Sequence, residues 1–373
     1  MRRTLVVTND FPPRAGGIQA YVHELALRQP PGSVVVFAST SPGAGEFDAA
    51  QPFPVVRHPT SMLLPTPAVS RRVQDVARSE GCTAAWFGAS APLALLAPGL
   101  RRAGVERIVA ASHGHEIGWA ALPGSRQLLR RIGDAVDVVT YLAEYTHERI
   151  ASAYGPRPRF VWVPPGVDTD AFRPDVSGAA VRARHGLGDR PTVVCVSRLV
   201  PRKGQDTLIR AWPAVRDRIP GAVLLIVGEG RDLPRLRKLA ASEKVEQDVV
   251  FTGGVPWAEL PQHYAAGDVF AMPCRTRRFG WDVEGLGIVY LEASATGLPV
   301  IGGDSGGAPD AVLEGETGWV VPGGSVPVAA ERMSALLADP VAARAAGEKG
   351  RAWVERDWRW DTLAARLHEL LQA

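Results

Sequence analysis

Short apolar, β-branched runs alternate with longer amphipathic segments from one end of the chain to the other. The runs lie at 4–10, 33–40, 84–89, 107–112, 136–142 and 160–166, then at 192–198, 222–230, 248–254, 268–274 and 298–303. Each is apolar at successive positions rather than at every second one. That pattern predicts strands covered on both faces, hence parallel strands in βα units. Thr66 and Pro67 predict a helix start, with Val69, Val73, Val76 and Ala77 on one face and Arg71, Arg72 and Arg78 off it. The polar piece 164–191, rich in Pro and Gly, separates two such series and reads as a linker. The expected architecture is α/β, with two Rossmann-like domains facing a central cleft. Ligands of such sheets sit beyond the carboxyl ends of the strands.

With 373 residues the chain exceeds one ordinary core, which agrees with two domains. The net charge of +3 gives no argument for nucleic acid, and none is expected as a partner. Residues 1–170 hold 17 Arg and 14 acids, whereas the remainder is balanced, so the excess charge is N-terminal. Cys82, Cys195 and Cys274 form no CxxC and read as reduced, buried residues of a cytoplasmic protein. No run approaches the ~20 apolar residues that span a bilayer. Any meeting with a membrane is therefore expected from its surface.

Some motifs mislead. "GDSGG" at 303–307 copies the nucleophile loop of an all-β protease, but here it follows a buried strand and reads as a turn. "DTD" at 168–170 reads as a solvated turn. His113 and His115 have a spacing that could share a metal, yet no third ligand is spaced to join them, so no metal is expected. "GEG" at 228–230 is a weak nucleotide-loop signal, since loop glycines are commonly structural.

Stronger chemistry lies in "EGLGIVYLEASATGLPV" from Glu284. A helix is expected from about Gly287 to Gly297. Its first N–H groups lack intrahelical partners and sit at the positive end of the dipole. The glycines let a diphosphate approach them. Arg198 and Lys203, after the strand 192–198, add a forked donor and a point charge. The carboxylates would repel phosphate and so read as acceptors for hydroxyls: Glu284 for a sugar, Glu292 for a ribose. That order matches a nucleotide sugar.

With these residues the chain resembles the retaining GT-B glycosyltransferases of the Glu-x7-Glu family. The likeness covers essentially the whole chain, through "PPRAGGIQAY" (12–21), "SHGHE" (112–116), "SRLVPRKGQD" (197–206), "VGEG" (227–230) and "EGLGIVYLEASATGLPVI" (284–301). It is most similar to the actinobacterial phosphatidylinositol mannoside mannosyltransferases, which add the second mannose from GDP-mannose. An Arg-rich chain with only four Lys fits such a source.

The resemblance implies a GT-B fold whose C-terminal helix crosses back to the first domain, with domains 1–168 (acceptor) and 169–357 (donor) and the returning helix 358–373. It implies catalytic roles for His113 and Glu284. Donor-binding roles fall to Gly16, Gly17, Arg198, Lys203, Val255, Gly285, Leu286, Gly287, Ile288 and Glu292, and acceptor-binding roles to Asp10 and Gln19. It implies front-face transfer with retention, in which the departing phosphate takes the acceptor proton and no metal or other cofactor is needed. Trp353, Trp358 and Trp360 are expected to pack the last helix onto the body. A phospholipid acceptor would place the enzyme at the inner face of the plasma membrane. There, Met62, Leu63 and Leu64 form an apolar tip beside a basic surface, with nine Arg against four acids across 69–131. Another nucleotide sugar with a soluble inositol or glycan acceptor stays open as an alternative. So, at greater distance, do a pyridoxal phosphorylase and a binding protein with a dead site. Neither the oligomeric state nor the role of 276–282 follows from the sequence.

Overall fold

The structure is a computed structural model that describes residues 1–280 and 282–373; Trp281, within the unexplained stretch 276–282, lies outside the described residues. The chain divides into two compact units, Met1–Gly166 with Trp360–Ala373, and Val167–Arg359.

The first unit is built on a seven-stranded parallel sheet. Its strands are β1 (Thr4–Thr8), β2 (Val34–Ser39), β3 (Val55–His58), β4 (Ala84–Phe87), β5 (Arg107–Ala111), β6 (Val138–Tyr141) and β7 (Arg159–Trp162), in the order β3-β2-β1-β4-β5-β6-β7. The continuous apolar runs follow from burial on both sides. Leu5 and Val7 join one core with Val73, Leu129 and Ile132, while Val6 joins the other with Val22, Leu25, Trp86 and Val109. That second core also contains Leu363, Leu367, Leu370 and Leu371 of the last helix, Trp360–Gln372. The C-terminal helix is therefore part of the first unit, as the resemblance implies. Trp353 and Trp358 pack edge to face, 5.4 Å apart, within the second unit.

The second unit holds a six-stranded parallel sheet: β8 (Thr192–Val196), β9 (Val223–Val227), β10 (Val249–Gly253), β11 (Val269–Met272), β12 (Val300–Gly303) and β13 (Gly318–Val321), ordered β10-β9-β8-β11-β12-β13. Both sheets reverse strand order beside their first strand, so each has a switch point there. Most of the piece read as a linker is built into this unit. Asp168 Oδ1 accepts from the Asp170 and Ala171 N–H groups, closing the "DTD" turn, and Phe172 is buried. The Arg351 guanidinium then ties the segment down by donating to the Thr169, Phe172 and Ala295 carbonyls.

Strands β3 and β13 escape the sequence reading. Both are four-residue edge strands: β3 is half-buried throughout and β13 opens on a glycine. β3 ends on Arg57 and His58 and β13 opens on Gly318, so each leaves only a short apolar run.

Candidate functional site

In the second unit the residues picked from the sequence gather at the carboxyl ends of β8 and β11. Ser197 to Lys203 follow β8. This loop is set by Gln205, whose amide donates to Ser197 Oγ and to the Arg198 carbonyl. A Cβ on Gly228 would stand 2.1 Å from the Ser197 carbonyl oxygen, and one on Gly230 would stand 2.3 Å from that of Leu199. The "GEG" glycines are thus a packing device that lets two loops touch. Arg198 is exposed and, among the described residues, has no carboxylate partner. Its guanidinium is free to meet an anion.

Lys203 is buried, and its Nζ lies 2.7 Å from Glu284 Oε2. Arg202 Nε lies 3.7 Å from the same oxygen and Arg202 also faces Asp282 at 3.8 Å. Neither Glu284 Oε2 nor Arg202 Nε has a hydrogen-bond partner, so these are ion-pair contacts without aligned bonds. The sequence reading assigns Lys203 to phosphate and Glu284 to sugar as separate jobs; in the fold they form an ion pair with each other. Arg202, missed there, is a second cation facing Glu284.

Glu284 is held by its backbone. Its N–H donates to Ser305 Oγ at 3.1 Å, and its carbonyl accepts from the Gly307 N–H at 3.0 Å. The "GDSGG" motif is therefore a turn, as expected, but it clamps the Glu284 peptide. Ser305 is fully buried, which suits this role. Beyond Glu284, Gly285 is exposed and Leu286 is buried. Gly287 caps the helix Ile288–Ala295 at φ 82°, a conformation glycine adopts without steric cost. The Tyr290 hydroxyl pins that helix to the Met272 carbonyl at 2.7 Å.

One turn into the helix, Glu292 Oε2 accepts from the Tyr264 hydroxyl at 2.6 Å. Burial pushes the Glu292 carboxyl up to about 7, a rise that the Tyr264 bond opposes in part. Its proton is thus poised near neutrality, which no spacing argument shows. Val255 follows β10 and is half-exposed.

The first unit carries the other group. Gly16 and Gly17 open the helix Gly17–Leu27 after β1. Gln19, on that helix, donates through Nε2 to Asp10 Oδ1 at 2.8 Å, so Asp10 and Gln19 form one polar pair. His113 follows β5. Its Nε2 lies 2.6 Å from the Gly88 carbonyl oxygen, which assigns the proton to Nε2 and leaves Nδ1 as acceptor. Burial lowers its pKa, against the pull of the Gly88 bond and of Glu116, so the ring favours its neutral form. His115 Nε2 faces the Ala91 carbonyl at 3.2 Å.

The main residue missed from the sequence is Glu116. It is fully buried and accepts from Ser90 Oγ (2.8 Å), Ser112 Oγ (2.9 Å), the His113 N–H (3.3 Å) and the Gly114 N–H (3.1 Å). It fixes the whole "SHGHE" loop and hence the His113 ring. Its signal was present: an acid placed just after a run of hydroxyl and N–H donors.

Sequence profiles divide the chain in the same way. Residues 15–171 match the description "Glycosyltransferase Family 4" and residues 179–353 match "Glycosyl transferases group 1". A GDP-mannose-dependent alpha-(1-6)-phosphatidylinositol monomannoside mannosyltransferase of Mycobacterium tuberculosis is 54% identical over 100% of this chain and 98% of its own. The chain belongs to the group 1 glycosyltransferases. A Corynebacterium glutamicum GDP-mannose-dependent monoacylated alpha-(1-6)-phosphatidylinositol monomannoside mannosyltransferase is 48% identical over 100% of this chain and 98% of its own. The fold is that of the Anabaena HepE protein solved with UDP, with a TM-score of 0.80, 19% identity and 99% coverage of both chains. Both sheets are therefore those of a GT-B glycosyltransferase. No helix among the described residues is long and apolar enough to cross a membrane.

Proposed function

We propose that this enzyme moves mannose from GDP-mannose to a phosphatidylinositol mannoside, with retention of configuration. The observation that carries the reading is the 54% identity running along the whole chain to an enzyme of that name. The geometry supports it. Arg198, Arg202 and Lys203 supply three cations where a diphosphate would leave. Leu286 to Ile288 supply helix N–H groups, Glu284 accepts sugar hydroxyls, and Glu292 accepts ribose hydroxyls. Val255 lies at the nucleotide end. A diphosphate would draw Lys203 from Glu284 and free that carboxylate for the sugar, so donor binding arms the sugar contact. In the first unit, neutral His113 offers Nδ1 to a hydroxyl of the reacting sugar, Gly16 and Gly17 give the phosphate room, and Asp10 with Gln19 receives the acceptor. The leaving phosphate takes the acceptor proton, and the cations stabilise the growing charge. No metal is assigned a role.

A lipid acceptor also locates the work. The protein binds from the aqueous side, through the exposed Arg71 and Arg72 and the exposed Met62 and Leu64, to the anionic inner leaflet of the plasma membrane.

The test is incubation with GDP-, UDP- and ADP-sugars and a lipid extract, with products read by mass spectrometry. A mannosylated phosphatidylinositol mannoside made from GDP-mannose is expected. Transfer only from a UDP- or ADP-sugar, or only to a soluble inositol or glycan, would replace this reading.

A further inference from the structure

We propose that a groove in the first unit takes one acyl chain of the phospholipid acceptor, an assignment that rests on the lipid-acceptor reading above. The groove has a volume of about 520 Å³, within the range of ligand sites. Its apolar wall is made by Pro65, Leu95, Pro98, Leu128 and Ala135. These come from the segment leading into the helix Pro67–Ser79, from the turn and helix covering 93–102, and from the end of the helix Pro123–Gly133. Beneath lies continuous core, with Leu96, Leu129 and Ile132 all buried. Helices packed only for stability interdigitate and leave few voids larger than a water. Here Leu95 and Leu128 instead stay half-exposed along an open channel.

Charge and continuity select the occupant. Arg131 stands on the rim and, among the described residues, has no carboxylate partner; the same is true of the exposed Arg71 and Arg72 on the neighbouring helix. Asp134, also on the rim, is already paired with Arg130 at 3.4 Å. The spare charge is thus positive and suits a lipid phosphate, while the wall asks for no hydrogen bonds. Next to Pro65 in the chain, Leu64 is 51% exposed and Met62 is 60% exposed, so the apolar surface continues outward. Leu63 between them points inward. Its N–H donates to Asn9 Oδ1 at 2.5 Å and its carbonyl accepts from Asn9 Nδ2 at 3.0 Å. Asn9 precedes Asp10, so one side chain ties the groove's lead-in segment to the loop assigned to the acceptor. An acyl chain held here stays in apolar surroundings while its headgroup is delivered to that loop.

The experiment compares wild type with a Leu95→Gln, Leu128→Gln variant on acceptors sharing one inositol mannoside headgroup: a dispersed short-chain diacyl form and a fully deacylated form. Wild type should prefer the acylated form in kcat/KM by about tenfold or more, and the variant should lose that preference while keeping its rate on the deacylated form. Equal kcat/KM of wild type for the two acceptors overturns the groove and leaves mannosyl transfer standing. That would also be the result if a protein segment, not a lipid, occupied it. A variant weakened equally on both acceptors shifts the decision to cross-linking of wild type with a phosphatidylinositol bearing a diazirine acyl chain. Labelling within 93–102 or 123–135 supports the groove; labelling confined to 61–80, or none, overturns it. Flotation of the variant on phosphatidylinositol vesicles, unchanged from wild type, separates the groove from surface docking. Absence of mannose transfer to either acceptor would sink the functional reading, and the cross-link would still report on the groove.

Discussion

Arg198 and Lys203 were read alike from the sequence, yet they call for different experiments. Arg198 is exposed and without a carboxylate partner among the described residues, so Arg198→Ala should leave stability within about 0.5 kcal/mol. It should cost transfer about 2–4 kcal/mol in the transition state. Near-normal rates at both low and saturating donor would remove Arg198 from the site. Lys203→Ala is a poorer probe, because it removes the nearest cation from the Glu284 carboxylate, whose side chain is only 8% exposed. For Glu284 itself, Glu284→Gln should bind GDP within about threefold of wild type while transfer falls about 100-fold. Calorimetry showing GDP binding abolished in a folded Glu284→Gln protein would refute the sugar role. Glu292 predicts a pH dependence. Burial raises its carboxyl to about 7, above the ordinary carboxyl range, so the fold loses stability as pH rises from that range towards 7. Ribose hydroxyls donate to the carboxylate, so GDP binding should release a proton and tighten over the same interval. Glu292→Gln should flatten both trends. GDP affinity in wild type that is flat from about pH 5.5 to about pH 8 would dismiss the ribose contact.

At the scale of elements, the helix Pro67–Ser79 was well predicted. Thr66 caps it by accepting from the Val69 N–H, and the four apolar residues named from its pattern are those it buries. Its lead-in was half right. Met62 and Leu64 are exposed, but Leu63 is fully buried, because a chain crossing a surface alternates its side chains and the middle one fills the core. A membrane test must therefore spare Leu63, whose loss would damage packing. Wild type should float with phosphatidylinositol-rich vesicles, less so at high salt. An Arg71→Glu, Arg72→Glu, Leu64→Ser variant should stay unbound while still hydrolysing donor. Equal flotation of the two proteins would move the docking surface elsewhere. The "SHGHE" and "GDSGG" loops teach a related point. Each is organised by a buried residue, Glu116 or Ser305, whose partners include backbone groups that sequence patterns do not display.

For the whole molecule, the last helix belongs to a unit whose sheet ends almost two hundred residues earlier. Leu363, Leu367, Leu370 and Leu371 close the core over Val6, Trp86 and Val109. Leu367→Ala should destabilise the first unit by about 2–5 kcal/mol, and loss of residues 360–373 should unfold it. Thermal melts checking the two changes would contradict this packing if both left the transition in place. What the sequence by itself determined is what repeats locally. Buried parallel strands read as unbroken apolar runs, helix starts carry their caps, and the residues after β8 and β11 announce a site because loops at strand ends hold ligands. Even the return of the last helix came from family likeness and not from its own pattern. Only the tertiary structure decided which charges meet. The Lys203–Glu284 contact, the proton held near neutrality on Glu292 and the inward turn of Leu63 all depend on residues far apart in the chain. Burial and the distance between charges set these energies, and neither is a property of sequence order.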